Sequence, residues 1–247
     1  MPPCVRRFER TIPVHVLARE ADLTRTQREG LGKIEALTLL GVAQETTTRI
    51  PATRATDRRI DAVLFVRASL GNTRALESTA TVVHACFPHP SVLILENARG
   101  DVCLSAALTS RRKRATGFAV NAMEADSDIG SWRRTEQGKA FLSSLAFETL
   151  DQRSLAHLTQ DIMARIRLAR VARLVGFYPD PGLCRSPDVV AVIERLLECQ
   201  GRQDRLRARW KAHGTTQRER LRLRIPLSEA IDQTKAAVDE LTRRCGR

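Results

Sequence analysis

The sequence predicts an α+β protein: a roughly five-stranded mixed sheet with flanking helices, followed by a C-terminal helical hairpin or coiled-coil appendage. Three stretches carry that expectation. RIDAVLFVRA (59–68) is a bounded run of Val, Leu and Phe, the pattern of a buried strand. SVLILE (91–96), NARGD and VCLSAAL (102–108) read as a hairpin of two apolar strands around an Asn/Gly/Asp turn. From 187 onward, apolar residues recur at helical spacing among dense charge.

Taken in order, TRTQREGLG (24–32) reads as a short polar helix that opens at a Thr cap and closes on glycine. IEALTLLGVA (34–43) is an apolar run with β-capable residues. NTRALESTATVVHACF (72–87) has helical periodicity, with Asn72 or Thr73 as cap and Leu76, Ala80 and Val83 inward. After the hairpin, 116–124 is a further strand and 125–131 a loop. Residues 138–150 and 154–177 are helical, the latter with Leu155, Leu158, Ile162, Ile166 and Ala169 on one stripe. YPDPG (178–182) marks a change of character, so the expected division is a body at 1–182 and a basic helical tail at 187–247. In the tail, Val189, Val192, Leu196, Cys199, Leu206 and Trp210 line one helix. Leu227, Ile231, Thr234, Val238 and Leu241 line a last helix expected to begin after Ile225–Pro226, with a basic connector between the two.

The bulk properties narrow the function. The net charge is +13, with 41 basic residues against 28 acidic ones, so anionic partners are favoured, nucleic acid first. Only five basic residues are lysine, a skew that codon composition can produce, whereas the excess of positive charge needs another reason. Aromatic residues make up 4%, too few for the stacking platforms of single-strand binders. The N-terminal segment lacks the apolar run of a signal peptide, and no stretch reaches the length of an apolar membrane span; a soluble, cytoplasmic protein is expected, with no membrane partner. The six cysteines are scattered without CxxC spacing and read mostly as small half-buried hydrophobes.

HACFPHP (84–90) packs His84, Cys86 and His89 together, all good zinc ligands, but a structural zinc needs four. Pro88 and Pro90 supply a simpler reading, a segment that ends one helix and starts the next strand, so no metal and no cofactor is expected. GLGK (30–33) lacks the remaining glycines of a dinucleotide fingerprint and the P-loop spacing. Asp61 and Glu96, 35 residues apart at strand ends, suggest the carboxylate pair of a metal-dependent nuclease. The position two after Glu96, where such a site carries lysine, holds Ala98; pairing of the two acids with Arg59 and Arg67 is the plainer expectation. No Ser-His-Asp arrangement is legible.

Two basic features remain as candidate phosphate contacts. One is the loop at Arg111, Arg112, Lys113 and Arg114. The other is 202–224, with nine basic residues against Asp204 and Glu219; its expected contacts are Arg202, Arg205, Arg207, Arg209, Lys211 and Arg218. Phosphate contact carries no sequence information, so the binding expected here is nonspecific.

The order FERTIP (8–13), QREGLGKIEALTLLGVAQETT, RIPA, RIDAVLFVRA, CFPHPSVLILE, hairpin, long helix and charged helical tail resembles a bacterial family known as domain of unknown function number 4391. The likeness is most specific at 8–13, 27–51 and 86–108. Members of that family often lie beside helicase and DNA-methyltransferase genes. The resemblance therefore implies a non-catalytic accessory subunit of a restriction-modification-like, anti-phage DNA defence complex, with a helicase or methyltransferase as partner. The alternative is a divergent metal-dependent nuclease of the same kind of system. Oligomerisation through the C-terminal helices is a further expectation. The family motif in the connector is the pair of spaced prolines, matched by Pro88 and Pro90, and it offers no catalytic residues to carry over.

Overall fold

The computed structural model describes residues 6–20, 23–55, 58–111 and 118–246. The chain falls into two compact units, Met1–Ala169 and Arg170–Arg247. The first contains β1 (Arg6–Thr11), α1 (Val14–Glu20), α2 (Arg25–Leu31), β2 (Ile34–Gln44), α3 (Glu45–Thr48), β3 (Thr53–Ala55) and β4 (Arg58–Ile60). Then come β5 (Ala62–Leu70), α4 (Leu76–Ala85), β6 (Ser91–Asn97), β7 (Val102–Arg111), β8 (Phe118–Asp126), α5 (Ile129–Trp132) and α6 (Glu136–Ser144). Helix α7 (Leu155–Val175) crosses the boundary, and the second unit holds α8 (Pro187–Lys211) and α9 (Gln217–Cys245).

The main sheet has six strands in the order β1-β2-β5-β6-β7-β8. Only β5 and β6 run parallel, joined through α4; the other neighbours are antiparallel. Strands β3 and β4 form a separate two-stranded ribbon. The class is thus α+β with a mixed sheet, one strand larger than expected. The addition is β1, an edge strand whose sequence RRFERT has no apolar run to announce it. Charged edges of this kind resist pairing with other chains.

One face of the sheet presents Leu37, Val66, Ala68, Leu93, Leu95 and Cys103 to Leu31 of α2 and to Leu76, Ala80 and Val83 of α4, all buried. Burial of each large side chain contributes roughly 1.5–3 kcal/mol. The inward residues of α4 are those its periodicity predicts, but its cap differs. The helix starts at Leu76 with Ala75 before it and no side-chain cap; the Thr73 hydroxyl instead accepts from the Ala75 amide. Around α2 the sequence reading holds: Thr24 caps the helix in a reciprocal bond with Gln27, and Gly32 closes it.

Three other boundaries are corrected. The strand read at 59–68 breaks at Asp61 into β4 and β5. The loop read at 125–131 contains the end of β8 and the first three residues of the short helix α5. The helix read at 138–150 ends at Ser144 and is followed by a 3-10 turn at Phe147–Thr149.

In the second unit the largest correction concerns the connector. Helix α9 begins at Gln217 and runs through Pro226, so 202–224 is almost wholly helical. Five residues, 212–216, join the helices; Gly214 takes a positive φ of 93° there, and Thr216 caps α9 in a reciprocal bond with Glu219. Proline removes one backbone donor from the helix, a loss the flanking turns carry. The helices pack through Val189, Val192, Ile193 and Leu196 of α8 and through Ala230, Thr234, Ala237 and Leu241 of α9. Ile231, expected in this seam, is exposed.

Among the described residues no helix is long and apolar enough to cross a membrane.

Candidate nucleic-acid interface

The connector HACFPHP is a core device. His84 is fully buried, with Nδ1 2.6 Å from Ser91 Oγ and Nε2 2.9 Å from Ser105 Oγ. Ser105 donates its only hydroxyl proton to the Glu124 carbonyl, so it must accept from His84 Nε2–H. Nδ1 then accepts from Ser91. The imidazole is neutral and satisfied at both nitrogens, tying α4 to β6 and β7. Burial without a counter-charge drops its pKa to about 3. The Cys86 thiol donates to the Val82 carbonyl and is pushed up to about 11 by burial. His89 lies half-buried and lowered by burial, with the Asp61 carboxylate opposing that shift. Among the described residues no three His, Cys, Asp or Glu side chains form a group that could hold a metal ion.

Asp61 and Glu96 are not brought together. Parallel pairing of β5 and β6 sets Ser69 beside Glu96 and Leu64 beside Ser91, while Asp61 precedes β5. Eight residues of strand rise, about 26 Å, separate the two acids along the sheet. Each has an arginine instead: Arg59 Nε donates to Asp61 at 2.7 Å, and an Arg67 guanidinium nitrogen donates to Glu96 at 2.7 Å. Both are ion pairs at solvent-accessible positions.

One Ser–His contact escaped the sequence reading because its third member, Thr53, comes from the distant strand β3. Thr53 Oγ1 donates to Ser154 Oγ at 3.1 Å, and Ser154 Oγ lies at hydrogen-bond distance, 2.8 Å, from His157 Nδ1. A serine nucleophile also needs amide donors for the oxyanion. The nearest ones are spent: Leu155 N–H on the Pro51 carbonyl, Ala156 N–H on Thr53 Oγ1. The cluster anchors the start of α7 to β3.

Charge concentrates at the far end of the helical hairpin. Helix α8 before residue 202 carries Asp188, Glu194 and Glu198 against Arg195; after it come Arg202, Arg205, Arg207, Arg209 and Lys211 against Asp204 alone. Helix α9 adds Arg218, Arg220, Arg222 and Arg224 in its first turns, with Glu219 among them. All of these basic side chains are exposed. Arg202 reaches Gln233 at 3.4 Å, and the Arg207 guanidinium donates to the side-chain oxygen of Gln203. Among the described residues, Arg205, Arg209, Lys211, Arg218, Arg220, Arg222 and Arg224 have no carboxylate at ion-pair distance.

Helical geometry sorts the contacts expected from sequence. Arg202, Arg205 and Arg209 share one face at i, i+3 and i+7; Arg207 and Lys211 share another at i, i+4. The first face borders a groove of about 540 Å³ between α8 and α9. Arg195, Arg202 and Arg205 line one wall, Gln233 and Glu240 the other, with Ala236 and Ala237 as small residues between. Arg195 joined this row unannounced, since neighbouring glutamates hide it in a charge count; it pairs with Glu240, which Arg244 also holds at 2.9 Å. A second hollow, about 320 Å³, lies at the hairpin turn between Arg209 and Arg222 beside Glu219. The Thr216 cap and both arginines hold the Glu219 carboxyl below its usual value.

The other expected contact is the loop at 111–114. Arg111 ends β7, and Arg112, Lys113 and Arg114 lie outside the described residues.

The family model described as Domain of unknown function (DUF4391) matches residues 3–230, and the chain belongs to that family. No curated protein and no solved structure matches it.

Proposed function

We propose that this DUF4391 member is a non-catalytic accessory subunit of a bacterial DNA-directed defence complex, acting in the cytoplasm. Its hairpin tip holds nucleic acid by the phosphate backbone, and it docks a helicase or DNA-methyltransferase partner. The observation that carries the nucleic-acid part is the row of exposed arginines at the tip, which outnumber the one carboxylate among them, Glu219 beside Arg209 and Arg222, and have none at ion-pair distance among the described residues. Intramolecular pairing would neutralise such charges; here they remain available to an outside anion. Guanidinium groups suit phosphate oxygens because their planar donors can bind two at once. Nothing in the row resembles base readout, so affinity should be sequence-independent and governed by counterion release.

Titration of a labelled duplex at several salt concentrations tests this reading. The logarithm of affinity should fall linearly with the logarithm of salt, with a slope near −0.9 for each phosphate engaged. Binding that is independent of salt, or absent even at low salt, would sink it.

A further inference from the structure

Leu221 and Ile225 are the most exposed large apolar side chains among the described residues, at 61% and 68%. They are four residues apart on α9, so they stack into one stripe. That stripe points away from α8: the packed residues Ala230, Thr234, Ala237 and Leu241 occupy the opposite side of the helix. At about 3.6 residues per turn, Arg218 and Arg222 flank the stripe on one side, and Arg220 and Arg224 on the other. Arg222 and Arg224 therefore stand where flanking charges stand beside the apolar seam of paired helices, and such charges select the partner.

We propose that the outer face of α9 at the hairpin tip docks an amphipathic helix of another protein, one with an apolar seam and acidic residues on both flanks. A second copy of this chain is the wrong occupant, because it would set arginine against arginine on each side. A lipid surface fits poorly. The next positions along the stripe are Ser228 and Asp232, so the apolar arc is one turn long rather than the continuous face a membrane helix needs. Nucleic acid alone would give the arginines a partner and leave Leu221 and Ile225 in water. The surface goes beyond the phosphate-contacting role above and can fail or hold independently of it.

The probe is a fluorescent helical peptide with leucine at the seam positions of one turn, serine along the rest of the seam and glutamate on the flanks, titrated onto the full chain by anisotropy. Two controls share its length: one has lysine on the flanks, the other serine throughout the seam. The acidic leucine peptide should bind at least about tenfold more tightly than either control, one power of ten being the smallest selectivity worth the claim. Leu221→Ser with Ile225→Ser should abolish that preference while duplex affinity stays unchanged. Arg222→Glu with Arg224→Glu should transfer it to the lysine peptide. Equal binding of the serine-seam peptide would mean charge attraction alone and overturn the proposal. So would failure of the acidic leucine peptide to bind the wild-type chain, or equal uptake onto vesicles of anionic lipid lost in the double-serine variant.

Discussion

The His84 region and the hairpin tip both gather polar side chains, and they treat them in opposite ways. Around His84, each nitrogen and hydroxyl has a partner inside the protein, and the imidazole gives up its charge to stay there. At the tip, arginines keep their charge and leave it facing solvent. The contrast separates residues that hold a fold from residues that can hold a ligand. A cluster whose donors and acceptors close on themselves has nothing left to offer, whatever its resemblance to a metal site. A row of unneutralised cations costs the fold self-repulsion and is useful only against something anionic.

Four measurements would break or sharpen that contrast. The largest effect is expected where a closed network is opened. Arg165 is buried, paired with Asp161 at 2.9 Å and donating to the Ser144 and Thr149 carbonyls. Arg165→Met should cost about 3–5 kcal/mol in urea unfolding, because it strands a buried carboxylate. Duplex affinity of the folded fraction should not move. The second effect sits at the tip. Replacing Arg202, Arg205 and Arg209 together by Gln should reduce the salt slope by about 3 and weaken duplex binding on the order of a hundredfold at about 0.15 M salt. Stability should change by no more than about 0.5 kcal/mol. A triple variant that binds as well as the wild type would remove the tip from the interface.

The third effect is a pH dependence. The folded pKa of His84, about 3, lies below its ordinary value of 6.5, so the unfolded chain takes up the proton first. The stabilisation is complete above pH 6.5 and is lost as the pH falls towards 3. Roughly 2 kcal/mol should be gone by pH 5, at 1.36 kcal/mol per pH unit. Comparing the wild type with His84→Leu by urea unfolding at pH 7 and pH 5 isolates it; identical slopes would show that the imidazole is not held neutral. The smallest effect belongs to the solvent-accessible acids. Asp61→Ala and Glu96→Gln should each cost under about 1 kcal/mol, the worth of an exposed ion pair. Neither should alter plasmid integrity in the presence of Mg²⁺ or Mn²⁺; cleavage by the wild type that Asp61→Ala abolishes would revive the nuclease alternative.

Strands with continuous apolar runs could be read from the chain because burial leaves a local composition. The same holds for the buried face of α4 and the Thr24 and Gly32 caps, which depend on residues within a turn of one another. Strand β1 could not be read, since its polar edge pairs through the backbone and needs no apolar pattern. The course of α9 through Pro226 was hidden for a related reason. Proline is a local stop signal, and packing of Ala230, Ala237 and Leu241 against α8 overrides it.

Residue counts alone determined that this protein carries a strong positive charge, and they located its largest basic stretch at 202–224. They also bounded the class as α+β, because alternation and helical spacing are properties of neighbours in the chain. Tertiary structure decided the rest. Parallel pairing of β5 with β6 parted Asp61 from Glu96, and two serines from different strands claimed both nitrogens of His84. Helical phase sorted the basic residues of 202–224 into separate faces. The first two depend on which distant segment lies alongside, and sequence spacing carries no record of that neighbour; the third needed only that 202–224 be helical through Pro226, which packing against α8 decides.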